Sequence, residues 1–507
     1  MAHPTINDLP NELLELIFDQ LDMDYLKDAS LVCRRWSDLT FSGRRMDRVK
    51  LVANFPWDKH LLQSNRQYSH LELGETEKCF AHLKELFNTF NVSSLRIEDR
   101  DLSYSSLRLI LLEAPNLQHL SIVCEPDLMN EMIDPLPVMR NLERLEIDCS
   151  ILGRTFPLHM IAPSLKGLKM YCNDENQLEQ WRRFSGQLKQ ACATCDGQNL
   201  LHRFCEMTFP LLEELSIIVE QPFNISPDQQ SDFCRRNSSL RLLRLDGFYI
   251  SKTLVEDITH HCKKLSSLAI QQNFYNSVPG LLESLSQLTE LKHLIMGNVL
   301  TFILHGCEAF TSLQSLCIRD ASFGGEGLLS FIEDLFKIAP QLRCLELGSV
   351  VITESVAQFI CNNFSNLTRL QLSYSAEVSR DFFSGIDRLP RLWYLELKLF
   401  NINGLSISVN PQNKVRYLTM HLPIQYCQLD LLRLLECFPQ LDRLNLIIQG
   451  QSVDESTVDK LCKILPTCAI KLYAYPLTDA EKKRRFQKWA RSEMMPWEKE
   501  WKFYYRI

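Results

Sequence analysis

The sequence predicts an α/β protein. Three short N-terminal helices lead into a long series of strand–helix units whose strands stack in parallel, and a C-terminal helical, aromatic element closes the chain. Three observations carry this reading. Residues 8–39 hold apolar residues at helical spacing in three short runs. Beyond them one phrase keeps returning: a leucine, two residues, a second leucine, one residue, a further apolar residue. The last thirty residues then turn markedly aromatic.

The first element opens at Leu9-Pro10, and proline suits a first helical turn, where its missing N–H would have no partner. Leu13, Leu14, Ile17, Phe18 and Leu21 follow at helical spacing and predict one apolar face. Asp24 is placed to cap a second helix carrying Leu26 and Ala29. A third run makes Leu31, Val32, Trp36 and Leu39 its apolar residues and leaves Arg34, Arg35 and Asp38 in water, with Cys33 read as core. A unit of roughly 35 residues does not bury that much apolar surface alone, so a partner is expected.

The recurring phrase runs from Leu117-Leu120-Ile122 to Leu441-Leu444-Leu446 in thirteen copies. A weaker copy, Val92-Leu95-Ile97, precedes them, and Val49-Lys50-Leu51 and Leu71-Glu72-Leu73 read as degenerate first copies. Copies stand 22 to 29 residues apart, except for 47 between Leu168 and Leu215. Such periods mark leucine-rich repeats. The leucines point inward from a short strand, and a helix such as 105–111 or 327–336 returns the chain. Prolines 115, 163, 210, 340, 390 and 439 halt each helix before the next strand. Stacking gives a horseshoe with a parallel sheet on its concave side and helices on its convex side. The Asn or Cys that often follows the strand survives clearly only at Asn173 and Asn273, which predicts irregular curvature.

Residues 173–208 fill the long interval and read as an insertion. Cys192-x-x-Cys195 with His202 and Cys205 has the residue types of a tetrahedral zinc site, but the spacing matches no common finger, so no metal is expected. Residues 476–507 read as a cap. Thr478–Glu481 fits a capping box, Lys482–Arg485 a solvated helix face or a nuclear signal, and Phe486, Trp489, Trp497, Trp501, Phe503, Tyr504 and Tyr505 an apolar lid. The expected division is 1–46, 47–93 for the degenerate copies, 94–475 for the repeats, and 476–507.

A net charge of −7 argues against a general nucleic-acid surface. No apolar run reaches bilayer length, and the N-terminus shows no signal pattern, which leads us to expect a soluble protein of the cytoplasm or nucleus with its 18 cysteines as thiols. No phosphate loop, dinucleotide fingerprint, metalloprotease motif or nucleophile elbow occurs. Gly324–Gly327 reads as a loop, and His260-His261 as structural. Neither an enzyme nor a cofactor is expected.

The order Leu9-Pro10-x-Glu12-Leu13-Leu14, Ile17-Phe18-x-x-Leu21, Ser30-Leu31-Val32-Cys33-Arg34-Arg35-Trp36 resembles the F-box. With the repeats, the chain is similar to F-box proteins carrying leucine-rich repeats. The resemblance implies the substrate-recognition subunit of a Skp–cullin–F-box ubiquitin ligase. In it Leu9, Pro10, Leu13, Ile17, Phe18, Leu21, Leu31, Val32 and Trp36 contact the Skp adaptor or support that contact. The protein to be ubiquitinated falls to strand positions alternating with the leucines: Arg144, Lys169, Tyr171, Arg244, Arg319, Arg369, Tyr394, Lys398, Tyr417 and Arg443. Two other readings stand beside this one, a non-ligase binding scaffold and an enzyme working through the Cys/His stretch. The filled F-box order weighs against the first, and the lack of a nucleophile–base pair against the second.

Overall fold

Each copy of the leucine phrase forms one short strand, because alternation sends its two inner apolar residues to the same face. The structure is a computed structural model. It describes all residues except 1–5, 20, 22, 43–44, 47–48, 54–65, 75, 100, 125–134, 149–157, 220–226, 249, 277–279, 300–306, 308, 320–326, 349–351, 376–382, 384, 400–412, 423–427, 450–454 and 476–507. The expected C-terminal cap, its basic run included, therefore lies outside the described residues. The chain divides into two units, Met1–Ala193 and Thr194–Ile507.

The first unit opens with helices α1 (Asn11–Asp19), α2 (Met23–Ser30) and α3 (Arg34–Thr40). Strands β1 (Lys50–Ala53), β2 (His70–Gly74), β3 (Ser94–Glu98), β4 (His119–Val123), β5 (Arg144–Asp148) and β6 (Gly167–Cys172) follow as one parallel ladder. Leu51 pairs with Leu71, Leu71 with Leu95, Leu95 with Leu120, Leu120 with Leu145 and Leu145 with Leu168. The fragments around Leu51 and Leu71 thus stand in register with the complete copies. Each strand is entered the same way. The N–H groups of Gln118 and His119 donate to Ser93 O, those of Glu143 and Arg144 to Gln118 O, and those of Lys166 and Gly167 to Glu143 O. The turn before each strand is thereby satisfied by the turn of the preceding repeat.

That ladder contact does not stop at residue 167. Lys189 and Gln190 N–H donate to Lys166 O, and strand β7 (Gln190–Cys195) begins there. Helix Glu175–Phe184 precedes it and helix Gln198–Cys205 follows it. Leu188, Ala191 and Ala193 stand 23 residues after Leu165, Leu168 and Met170, and 24 before Leu212, Leu215 and Ile217. The stretch read as an insertion is built as one further repeat, disguised by alanine at the two inner strand positions. Its helix is well started: Gln177 N–H donates to the Asp174 carboxylate at 2.7 Å, and Gln177 Oε1 accepts from Asn173 N–H at 2.6 Å.

The second unit repeats the pattern. Strands β8 (Glu214–Val219), β9 (Leu242–Asp246), β10 (Ser267–Asn276), β11 (His293–Val299), β12 (Ser315–Arg319) and β13 (Cys344–Leu347) are parallel neighbours in chain order. They continue into β14 (Arg369–Ser375), β15 (Tyr394–Leu399), β16 (Tyr417–Leu422), β17 (Arg443–Gln449) and β18 (Ala469–Tyr475). Return helices include Lys252–His261, Gly327–Ile338 and Glu354–Asn363. Ser251 and Thr353 cap the first and last of these by accepting from Leu254 and Val356 N–H. The core of each unit is the layer between strands and helices, filled by the phrase leucines and the inner helix residues. The architecture is an α/β leucine-rich-repeat solenoid behind an N-terminal three-helix domain.

Candidate functional site

The apolar residues of α1 do not form the single face that their spacing predicts. Leu14 and Phe18 are buried with Leu26, Ala29 and Trp36, and Leu9, Leu21 and Leu39 pack against that cluster while half-buried. The Phe18 and Trp36 rings meet edge to face, with centroids 5.2 Å apart. Leu13, Leu16 and Ile17 lie on a second face of the same helix and remain exposed, as do Ile6 and the Leu31-Val32 pair. Leu31 is 83% exposed and Val32 57%. Six of the twelve large apolar residues exposed among the described residues come from this short stretch, which is why it is the candidate site.

Two arginines hold the exposed residues in place. Arg35 donates from Nη1 to Asn7 O and from Nη2 to Leu9 O, both at 2.6 Å, and from Nε to Asn11 Oδ1 at 2.8 Å. It ties the start of α3 to the start of α1. Arg45 is buried and donates to Asp19 Oδ1 at 2.7 Å and to Leu39 O. Arg35 is exposed, as its place in the sequence predicts, but its hydrogen bonds to α1, the buried Arg45 and the exposed Leu16 are not foreseen there. An arginine that bonds only backbone carbonyls and one amide leaves no hydropathy signal. Two smaller corrections belong here. Asp24 lies inside the first turn of α2 rather than before it. Cys33, read as core, is exposed at the N-terminus of α3, because Trp36 is the residue of that run that turns inward.

Of the nine residues assigned to the adaptor contact or its support, the structure makes Phe18 and Trp36 core, leaves Leu9 and Leu21 half-buried on it, and exposes Pro10, Leu13, Ile17, Leu31 and Val32.

The sheet positions fall into two groups. In the first unit cations and carboxylates alternate. Arg144 reaches across Gly167 to Gln190, and a Cβ at 167 would sit only 3.3–3.4 Å from those two side chains. Lys169 is buried, and Tyr171 Oη donates to Asp148 at 3.4 Å. In the second unit Arg244 pairs with Asp246, and Arg319 with Glu346 at 3.0 Å. The strands β14 to β17 differ. Arg369 stacks on Tyr394 at 4.4 Å and Trp393 at 5.4 Å, and Arg443 lies 5.6 Å over Tyr417. Glu396 accepts from Tyr394 Oη at 3.0 Å and meets His421 Nε2 at 3.2 Å. Burial alone would raise the Glu396 carboxyl, but the His421 hydrogen bond and charge, with Lys398 and Tyr394, hold it below the ordinary range.

Nothing among the described residues assembles chemistry. Cys192 and Cys195 are three apart on a strand and so point to opposite faces, which keeps one ion from binding both. Burial pushes the thiol of Cys361 up to about 12 and those of Cys307, Cys437 and Cys468 up to about 11, which leaves them protonated at neutral pH.

A family model described as F-box-like matches residues 6–48, so the three-helix unit is an F-box-like domain. Among solved structures, the TLR13 chain of a TLR13–ssRNA13 complex is similar at 15% identity and a TM-score of 0.36. That likeness covers 84% of this chain and 64% of that one. No curated protein matches the sequence.

Proposed function

We propose that this chain is the substrate-recognition subunit of a Skp–cullin–F-box ubiquitin ligase. The F-box-like domain docks on the Skp adaptor, and the repeats bind the protein to be ubiquitinated. The observation that carries the reading is the pair of faces on α1: Leu14 and Phe18 complete a core, while Leu13, Leu16 and Ile17 stay outside it, as do Leu31 and Val32 at the turn before α3. An apolar face on an already packed domain is built for a partner. No catalytic group is required of this chain, because holding the substrate raises the effective concentration of its lysines at a conjugating enzyme carried by other subunits. On this reading residues 1–46 dock, the array to residue 475 recognises, and the protein works in the cytoplasm, the nucleus or both.

The test is quantitative affinity purification of the full chain beside a Leu13→Asp/Leu31→Asp variant. Loss of adaptor and cullin from the variant is expected, with other partners retained and the melting temperature unchanged. Equal adaptor recovery from a folded variant refutes the assignment.

A further inference from the structure

The apolar layer is filled at β15, β16 and β17 and left open at β18. Leu395 and Leu397, Leu418 and Met420, and Leu444 and Leu446 are each at most 1% exposed. In register, Leu444 pairs with Ile470 and Leu446 with Leu472, so Ile470 and Leu472 hold the same inner positions one strand further on. Both are only half-buried, and so are Val458 and Ile464 on and at the end of helix Glu455–Ile464. β18 is the last described strand. Four apolar side chains of its repeat thus keep contact with water, as a layer does when the next one is missing. Repeat arrays cover such a layer with an atypical terminal element.

We propose that residues 476–507 of this same chain are that layer, and that they dock an aromatic helical face on Val458, Ile464, Ile470 and Leu472. The segment follows β18 directly and carries three of the chain's seven tryptophans, whereas segments that stay solvated are poor in aromatic residues. Phe486, Trp489, Ala490 and Met494 recur at helical spacing, with Arg485, Lys488 and Arg491 on the opposite side. Pro496 stops that run, and Trp497 and Trp501 renew the spacing after it. The lengths agree. β18, from Ala469 to Tyr475, is about 20 Å long at about 3.3 Å per residue. A helix from Thr478 to Met495 is about 25 Å long at about 1.5 Å per residue, so one pass covers the open repeat from end to end. Attachment at Tyr475 also gives the segment a high effective concentration at that layer, which a second copy of the chain or a separate partner lacks. Docked in this way it sends Arg485, Lys488 and Arg491 to water. The proposal stands apart from the ligase reading and needs neither the F-box nor a substrate.

Photo-crosslinking and amide hydrogen exchange of the full chain test it. p-Benzoylphenylalanine is placed at 489 and, in a second protein, at 497, and the crosslinks are mapped by mass spectrometry after irradiation. Crosslinks to residues 458–472 of the same chain are expected, with mixed isotope-labelled and unlabelled chains showing that they do not join two copies. In a Trp489→Ser/Trp497→Ser variant, exchange across residues 461–472 should quicken about tenfold or more, while exchange in β3 to β5 stays as it was. That contrast separates loss of the covering layer from loss of the fold. Lys488→Gln, on the opposite side of the helical run, should leave both readouts unchanged. Crosslinks that miss 458–472 from both positions, crosslinks that join two copies, or unaltered exchange at 461–472 in the folded double variant each overturn the proposal.

Discussion

Replacing Leu13 and Leu31 together by alanine should weaken adaptor binding strongly while leaving the chain as stable as before. Leu31 is 83% exposed and Leu13 46%, so neither supports much of the domain core. Fully burying a leucine is worth about 1.5–3 kcal/mol. Burying what these two still expose is then worth about 1.2–2.5 and 0.7–1.4 kcal/mol. Alanine keeps the Cβ, which brings the joint loss to about 1.3–2.7 kcal/mol, or roughly 10- to 100-fold in Kd. The stability change should stay within about 0.5 kcal/mol, as for other exposed substitutions. Phe18→Ala is the contrasting case. Phe18 is 1% exposed and packs edge-on against Trp36, so its removal should destabilise the domain by about 3–5 kcal/mol. Calorimetric titration of purified adaptor, beside thermal melts, separates the two effects. Unchanged adaptor affinity in a well-folded Leu13→Ala/Leu31→Ala protein would show that the exposed face is not the contact, and the reasoning from exposure would fail.

Three further outcomes follow from particular contacts. Arg35→Ala removes three hydrogen bonds that anchor the start of α1, so amide exchange at residues 6–13 should quicken and adaptor affinity fall with little change in melting temperature; unchanged exchange there contradicts the clamp. Glu396→Gln should flatten the acid limb of the stability curve. A carboxyl held below its ordinary 4.5 contributes stability above that value and loses it as the pH falls through the lower folded value, so an unaltered acid limb in the variant counts against the pairing. Elemental analysis should find no stoichiometric zinc, since Cys192 and Cys195 face opposite sides of β7; about one zinc per chain, lost on Cys195→Ser, would mean that the strand is not formed as described.

The repeats were legible because their signal is redundant. Any one Leu-x-x-Leu-x-Leu phrase is weak, but thirteen at similar spacing fix the strand positions and the inward face together. The N-terminal domain was legible in its order and not in its geometry. Spacing places Leu13, Leu14, Ile17 and Phe18 within one broad apolar arc, and it does not say that packing takes Leu14 and Phe18 and leaves Leu13 and Ile17 outside. That choice depends on where α2 and α3 lie, and their position depends in part on Arg35 and Arg45, whose polar contacts are invisible to hydropathy. Similarly, alternation places Arg144, Arg244 and Arg319 on one kind of strand position, but only the folded chain shows that Arg144 reaches Gln190, Arg244 Asp246 and Arg319 Glu346.

The repeat that the sequence hid shows the limit of a motif built on residue identity. Two properties define a strand of this kind: alternation that sends every second residue inward, and a turn whose N–H groups meet the carbonyl of the preceding repeat. Leucine is needed for neither; it fills volume. At β7 the inner positions are Ala191 and Ala193, fully buried like the leucines of neighbouring copies. Alanine fits only where other side chains supply the missing volume, because an unfilled gap costs roughly 24 cal/mol per Å³. The helix before the strand carries such side chains: Trp181 and Phe184 are each at most 1% exposed. Large helix residues opposite small strand residues keep the layer filled, so the spacing of 23 and 24 residues persists while the phrase disappears. A search for repeats in chains of this kind should therefore score the helix and strand positions jointly, since what each repeat conserves physically is the volume between them.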